Sequence, residues 1–276
     1  MALMKDKNGI YLKEEQISDI RTQFSAQLQD EYFDIEDNSW WFRYKSEVIQ
    51  YLVEKYFDRS SRSFDIGGGN GYIASRLVKA GYDIGLIEPA YEACLNAQKR
   101  GVPYVVNGSI GDIDYNIMQC TCLDVLEHVE DDRHFLNAIY QKMETGGKLI
   151  LTVPAFMSLW SSEDVKLGHF RRYRRKQLEA LFKSIGFEVT YSSYSFWFLF
   201  IPILIVRVIL EKFGIIKDQG KCSDEDNAMR EAQQHRPPKG IVGVILGLVE
   251  RAELWMLKKE CVVPFGSSVI IIAKKK

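Results

Sequence analysis

No pair of cysteines in this 276-residue chain has metal or redox spacing. The five that occur, Cys94, Cys120, Cys122, Cys222 and Cys261, are an odd number with no C-x-x-C pair and no histidine at ligand distance along the chain. That excludes a disulfide framework, and no metal site is expected. Cys120 and Cys122 share one face of a strand and read as small core residues. An excess of either charge is also missing: 36 basic residues stand against 37 acidic ones, for a net charge of −1. A dedicated nucleic-acid binder would carry a basic excess, so no nucleic-acid partner is expected. Long apolar runs are absent too. Phe196–Val206 is eleven residues without a charge, short of the ~20 that a spanning helix needs. Met1-Ala2-Leu3-Met4-Lys5-Asp6-Lys7 has no apolar signal core, so a cytoplasmic, reduced protein is expected. At 46% hydrophobic and 26% charged residues, disorder, collagen and a coiled-coil rod are excluded as the main architecture.

The chain reads as four parts. Residues 1–60 have helical spacing, with apolar and charged residues mixed over Leu12–Tyr32. Trp40-Trp41-Phe42 follows, then an amphipathic run through Tyr44, Val48, Ile49, Leu52 and Tyr56. This part is expected to be a helical cap. Residues 61–195 alternate short apolar runs (Ser63–Ile66, Ile84–Ile87, Tyr104–Val106, Ile117–Leu123, Lys148–Val153, Phe187–Tyr194) with helix-length segments. That alternation predicts a parallel sheet covered on both faces. Residues 196–263 hold two apolar runs, Phe196–Leu210 and Ile241–Val249, around a polar linker over 217–239, and predict a helical insertion. Residues 264–276 supply a last strand.

The sharpest local signal is Phe64-Asp65-Ile66-Gly67-Gly68-Gly69-Asn70-Gly71, where a strand turns into a helix. Glycines there permit a sharp turn and close approach of a ligand. A dinucleotide fingerprint needs a third glycine at position 72, which is Tyr72, and there is no GK[ST] phosphate loop. Asp65 at the strand end would repel a pyrophosphate but suits a cationic ligand. S-Adenosylmethionine, with a sulfonium and an amino group and no phosphate, matches that chemistry. Glu88 ends the next strand, 23 residues after Asp65, where an acid accepts hydrogen bonds from ribose hydroxyls.

These motifs resemble those of the class I S-adenosylmethionine-dependent methyltransferases, in the type 11/12-like small-molecule branch. Asp65 to Gly71 is similar to the family's first motif and Glu88 to its second. Cys122 to Val129 is similar to its fourth-strand motif, and Gly146 to Pro154 to its turn into strand five. The resemblance covers about residues 38–195 and the last strand. It implies an α/β, Rossmann-like, seven-stranded mixed sheet of order 3-2-1-4-5-7-6, helices on both faces, and a helical insertion between strands 6 and 7. It also implies cofactor contacts from Asp65, Gly67, Gly69, Gly71, Glu88, Leu123 and Asp124. Trp40-Trp41-Phe42, Leu159-Trp160-Ser161, Gly168 to Tyr173 and Pro264 to Ser268 resemble a bacterial subgroup associated with glycans and lipid-linked sugars, so a small or lipid-linked acceptor is expected.

If the acceptor is a hydroxyl, a base is wanted near the working pH, and histidine is the natural choice. His128 after the fourth strand and His169 after the fifth are both candidates and are not separable by sequence. His134 falls on a helix surface and His235 in the polar linker. Arg171, Arg172, Arg174, Arg175 and Lys176, interrupted by Tyr173, read either as an anion site or as local ion pairs with acids such as Glu163 and Asp164. Trp41, Arg172 and Tyr173 are the expected acceptor contacts, with Trp41 also a lid residue. Residues 196–260 have three open fates: burial, contact with the cytoplasmic face of a membrane through Arg207, Lys212 and the terminal lysines, or self-association. Two other functions compete: a cofactor-binding protein of this fold without transferase activity, and an NAD-dependent oxidoreductase.

Overall fold

The computed structural model describes residues 3–13, 33–205 and 236–276. The helical run expected over Leu12–Tyr32 lies almost wholly outside the described residues. So do Arg207 to Leu210, Lys212, most of the polar linker, Cys222 and His235.

In chain order the elements are β1 (Met4–Lys5), β2 (Tyr11–Leu12), α1 (Trp40–Tyr56), β3 (Ser63–Ile66), α2 (Tyr72–Lys79), β4 (Ile84–Glu88), α3 (Tyr91–Lys99), β5 (Tyr104–Asn107), β6 (Ile117–Leu123), α4 (Asp132–Lys142), β7 (Met143–Pro154), α5 (Ser162–Lys166), α6 (Arg175–Ile185), β8 (Phe187–Ser195), α7 (Trp197–Ile203), α8 (Gly240–Lys258) and β9 (Ser268–Lys275). They form one sheet of order β1-β2-β5-β4-β3-β6-β7-β9-β8. From β5 to β8 this is the expected seven-strand order. β3 to β7 pair in parallel, and β9 runs antiparallel to both β7 and β8.

Among the described residues the strand count is nine, not seven. Residues 4–12, expected inside a helical cap, form an antiparallel hairpin whose second strand bridges β5 through Tyr11 and Val106. The turn explains why. Asp6 Oδ1 accepts from the backbone N–H groups of Asn8 (2.8 Å) and Ile10 (2.9 Å), and Gly9 sits at φ 82°. A side chain that satisfies its own turn competes with helix formation.

Two cores lie on the two sheet faces, and the period-2 alternation of strand side chains sorts residues between them. Along β7, Ile150 packs with Tyr44, Ile49 and Leu52 of α1 and with Leu77 of α2. Leu149 and Leu151 pack on the other face with Leu136 and Ile139 of α4 and Leu178 and Phe182 of α6. A strand buried on both faces reads as a continuous apolar run, which is why these strands were legible. The α1 helix starts where the Ser39 hydroxyl accepts from the Phe42 N–H, a standard cap that satisfies one of the four free amide donors.

The C-terminal half of α8 is tied to α1. Arg43 grips both carboxylate oxygens of Glu250 (2.9 and 2.8 Å), and the Tyr44 hydroxyl donates to Glu253 Oε2 (2.6 Å). The N-terminal half exposes Ile241, Val242, Val244, Ile245 and Leu248, each more than half exposed. Among the described residues no helix is long and apolar enough to cross a membrane.

Candidate functional site

The carboxyl ends of β3 and β6 open into a cleft of about 240 Å3. A cleft beyond the strand ends is where parallel sheets of this kind place ligands. One wall is the glycine loop. Gly67, Gly69 and Gly71 take φ of 69°, 52° and 71°, in the left-handed region that costs other residues energy. Their surroundings differ. A Cβ on Gly71 would lie 2.7 Å from the Ala97 Cβ of α3, so Gly71 provides the close packing expected of a third glycine. A Cβ on Gly69 meets nothing within 4 Å.

Two buried acids, Asp65 and Glu88, stand at the strand ends beside the loop. Glu88 accepts from the backbone N–H of Gly69 through Oε2 (3.0 Å) and from that of Ala90 through Oε1 (2.8 Å). Burial pushes its pKa up to about 7 despite those two donors. Asp65, 2% exposed, accepts from the Thr121 hydroxyl (2.7 Å). Burial pushes it up to about 6, opposed by that hydrogen bond and by the charge of Lys45. Glu88 supports the loop from beneath; Asp65, Gly67 and Gly69 line the cleft directly.

The opposite wall comes from α1 and the end of β6. Trp41, Phe42 and Lys45 line it, with Leu123, Asp124 and His128. Asp124 has φ 56°, a strained setting for a non-glycine residue. It is held there by its N–H to Thr152 O (2.9 Å), by the Thr152 hydroxyl (2.8 Å) and by Lys45 Nζ (2.6 Å). Burial alone would raise the Asp124 pKa, but the Lys45 charge outweighs it and the carboxylate is held below its ordinary value. Lys45 also lies 5.0 Å over the Trp41 ring. Sequence reasoning passed over Lys45. Its signal was the four-residue spacing from Trp41, which places both on one helix face.

The basic loop is drawn inward. Arg172 donates to both oxygens of Asp164 (2.7 and 2.9 Å), whose side chain is fully buried. Burial works against ionisation of Asp164, but bonds from His169 and Arg172 bring its pKa down to about 2. Arg171 pairs with Asp132, and Arg175 with Glu179. Tyr173 is 6% exposed and donates to Asp132 Oδ2 (3.0 Å). Arg172 and Tyr173, expected to touch an acceptor, are therefore not among the cleft-lining residues. The two histidines are brought together, with ring centroids 4.6 Å apart. His128 lines the cleft, and His169 stands behind it with Nδ1 on Asp164 Oδ1 (2.8 Å). Burial, with His169 alongside, pushes the His128 pKa down to about 4. Glu127 is 1% exposed, and burial next to Asp124 raises its pKa well above the carboxylate range.

A sequence model for a methyltransferase domain matches residues 38–192, and the chain belongs to that family. The family's cofactor is S-adenosylmethionine, and the residues present fit it: an acid-lined cradle with open space at Gly69, whose one described lining lysine, Lys45, is paired with Asp124. The chain is 26% identical over 121 residues to the mitochondrial ubiquinone biosynthesis O-methyltransferase of Schizosaccharomyces pombe, covering 39% of this chain and 44% of that one. It spans less than two thirds of the length of the curated relatives it matches. Among solved structures, phosphoethanolamine N-methyltransferase 2 of Haemonchus contortus in complex with S-adenosyl-L-methionine superposes with a TM-score of 0.57 at 15% identity, over 92% of this chain and 58% of that one. A [4+2]-cyclase, SpnF, superposes at 0.50 and 16% identity, over 82% and 80%. These two likenesses concern the fold, which hosts more than one kind of reaction.

Proposed function

We propose that this protein transfers the methyl group of S-adenosylmethionine to a small or lipid-linked acceptor. The observation that carries the reading is the convergence on one cleft of the glycine loop, Asp65 and, on the facing wall, Trp41, Lys45, Asp124 and His128. Asp65, Gly67, Gly69, Gly71, Glu88, Leu123 and Asp124 hold the cofactor, which when bound supplies a methyl already activated on a sulfonium. The protein's own work is to bind, orient and exclude water. Glu88 offers carboxylate oxygens at the end of β4, and Gly69 leaves the approach open. Trp41 and Phe42 form an apolar lid against water on the acceptor side. An oxygen acceptor has to shed a proton, and the polar corner facing it is His128, supported by His169. Arg172 acts from behind by holding Asp164 against His169.

Transfer of labelled methyl from S-adenosylmethionine to lipid and small-molecule extracts tests this reading. Incorporation that disappears in Gly69→Val supports it. Tight cofactor binding without incorporation into any fraction would favour the reading of a fold that binds and does not transfer. Preferential binding of NAD would favour the oxidoreductase reading.

The lipid-linked acceptor rests on the apolar surface of α7 and α8. Beside the exposed aliphatic residues of α8 stand Arg236, Lys239 and Arg251, a pattern suited to an anionic lipid surface. Co-sedimentation with anionic vesicles should carry down the full chain but not the Ile245→Asp, Leu248→Asp double variant. A monodisperse wild type that stays in the supernatant overturns the membrane contact, and a dimer without vesicles favours self-association. The proposal also divides the chain into a cap (1–60, now including the β1–β2 hairpin), a core (61–195), an insertion (196–263) and a final strand (264–276). Limited proteolysis inside 196–263 that leaves the core able to bind cofactor would support that division.

A further inference from the structure

We infer that Glu127, His128 and His169 form a binding site for one divalent transition-metal ion at the acceptor end of the cleft. One donor atom from each of the three side chains lies within 4.8 Å of the others, a spacing that side-chain rotation can contract onto a single ion. The site is not legible along the chain, because His169 is 41 positions from His128 and no ligand motif joins them.

Three features mark a ligand set. The first is Glu127. Its side chain is 1% exposed, and Oε2 has no hydrogen-bond partner. Buried carboxylate oxygens are nearly always satisfied, and a cation would supply the missing partner. The second is the support behind His169. Asp164 Oδ1 lies 2.8 Å from His169 Nδ1, and Arg172 grips both oxygens of the same carboxylate. A carboxylate on one ring nitrogen fixes the tautomer and turns the other nitrogen outward, the arrangement found behind metal-bound histidines. The third is the way the loop is tied down. The Phe170 N–H donates to Glu127 O (2.7 Å) and the His169 N–H to Asp164 O (2.9 Å), so the loop presents His169 to the turn that carries Glu127 and His128.

The local charges agree. Asp124 is paired with Lys45, and Asp164 with Arg172. Glu127, the third acid of this corner, pairs with neither of those cations. Two imidazoles and one carboxylate suit zinc and similar borderline ions, and leave coordination positions open. Because His128 lines the cleft, an open position would face an oxygen acceptor and favour its anionic form. The inference concerns metal binding itself and does not depend on the transfer reading.

The experiment uses the untagged full chain, stripped with chelator and dialysed. Co2+ is titrated in while its visible absorption is followed, and Zn2+ binding is measured by calorimetry. The expected result is one saturable site per chain with the bands of nitrogen and oxygen ligation. Glu127→Gln, which keeps shape and volume, should weaken binding at least tenfold, as should His169→Ala. Asp164→Asn should weaken it about 10–100-fold, the usual effect of removing a carboxylate behind a ligand. S-Adenosylmethionine affinity and the melting temperature without metal should stay near wild type in Glu127→Gln, so that a folding defect is distinguished from a lost ligand. No saturable binding by the wild type, or binding unchanged in both Glu127→Gln and His169→Ala, overturns the site. Failure of methyl transfer with metal binding intact would count against the proposed function alone.

Discussion

Glu88 should link cofactor binding and stability to a proton. Its two oxygens accept from the Gly69 and Ala90 N–H groups, yet burial still moves the pKa from 4.5 to about 7. In the ligand-free protein the folded-state pKa is therefore raised above the unfolded value. The folded state holds a proton that the unfolded chain has already lost, so stability is fully present below about pH 4.5 and is lost as pH rises through about 7. The step from 4.5 to about 7 corresponds to roughly 3 kcal/mol at ~1.4 kcal/mol for each decade. Cofactor binding has the opposite sign. On the proposed role of ionised Glu88 as acceptor for ribose hydroxyls, affinity should be constant above about pH 8 and fall toward tenfold for each pH unit below 7.

Calorimetric titration of S-adenosylmethionine from pH 6 to 8.5 reads the second effect, and melting of the ligand-free protein from pH 5 to 8 reads the first. Glu88→Gln should remove the part of both slopes centred near pH 7, whatever its absolute stability, and weaken binding about 10–100-fold, the value of a charge-assisted bond. Asp65, at about 6, adds a limb roughly one unit lower, which Asp65→Asn isolates. Flat affinity from pH 6 to 8 in the wild type, with melting slopes identical to those of Glu88→Gln, would refute the reasoning.

Other expectations follow from single residues. Gly69→Val and Gly71→Val should separate cleanly. The first has open space at its Cβ and should abolish cofactor binding with only the backbone strain of about 1–3 kcal/mol, whereas the second also collides with Ala97 and should lower the melting temperature further. Asp65→Ala should weaken S-adenosylmethionine binding by about 10–100-fold in the same calorimetry. Arg172→Ala strands the buried Asp164 carboxylate and should cost about 3–5 kcal/mol in denaturant unfolding, with cofactor affinity near wild type. A matching loss of cofactor affinity would mean that Arg172 reaches the cleft.

The legible part of the fold was the part with strict periodicity. Ser63–Ile66 and Ile117–Leu123 fall where the pattern put them, because strands buried on both faces admit little but apolar residues. Residues 4–12 misled, since two-residue strands carry no period and Asp6 acts through its own turn. In the cleft, the glycines, Asp65 and Glu88 announce themselves by clustering at strand ends. Lys45 does not, because one lysine on an amphipathic helix looks like any solvated lysine until Asp124 is folded against it. The basic run around Arg172 and Tyr173 was ambiguous for a related reason. Its five basic residues fit an anion site or local ion pairs equally well, and the fold pairs Arg172 with Asp164, Arg171 with Asp132 and Arg175 with Glu179.

The most direct test is calorimetric titration of the wild type and Gly69→Val with S-adenosylmethionine, S-adenosylhomocysteine and NAD. The account predicts one site per chain for the first two, mutual competition between them, no heat with NAD, and no binding of any of the three by Gly69→Val. Saturable NAD binding, or S-adenosylmethionine binding that Gly69→Val leaves intact, would contradict it.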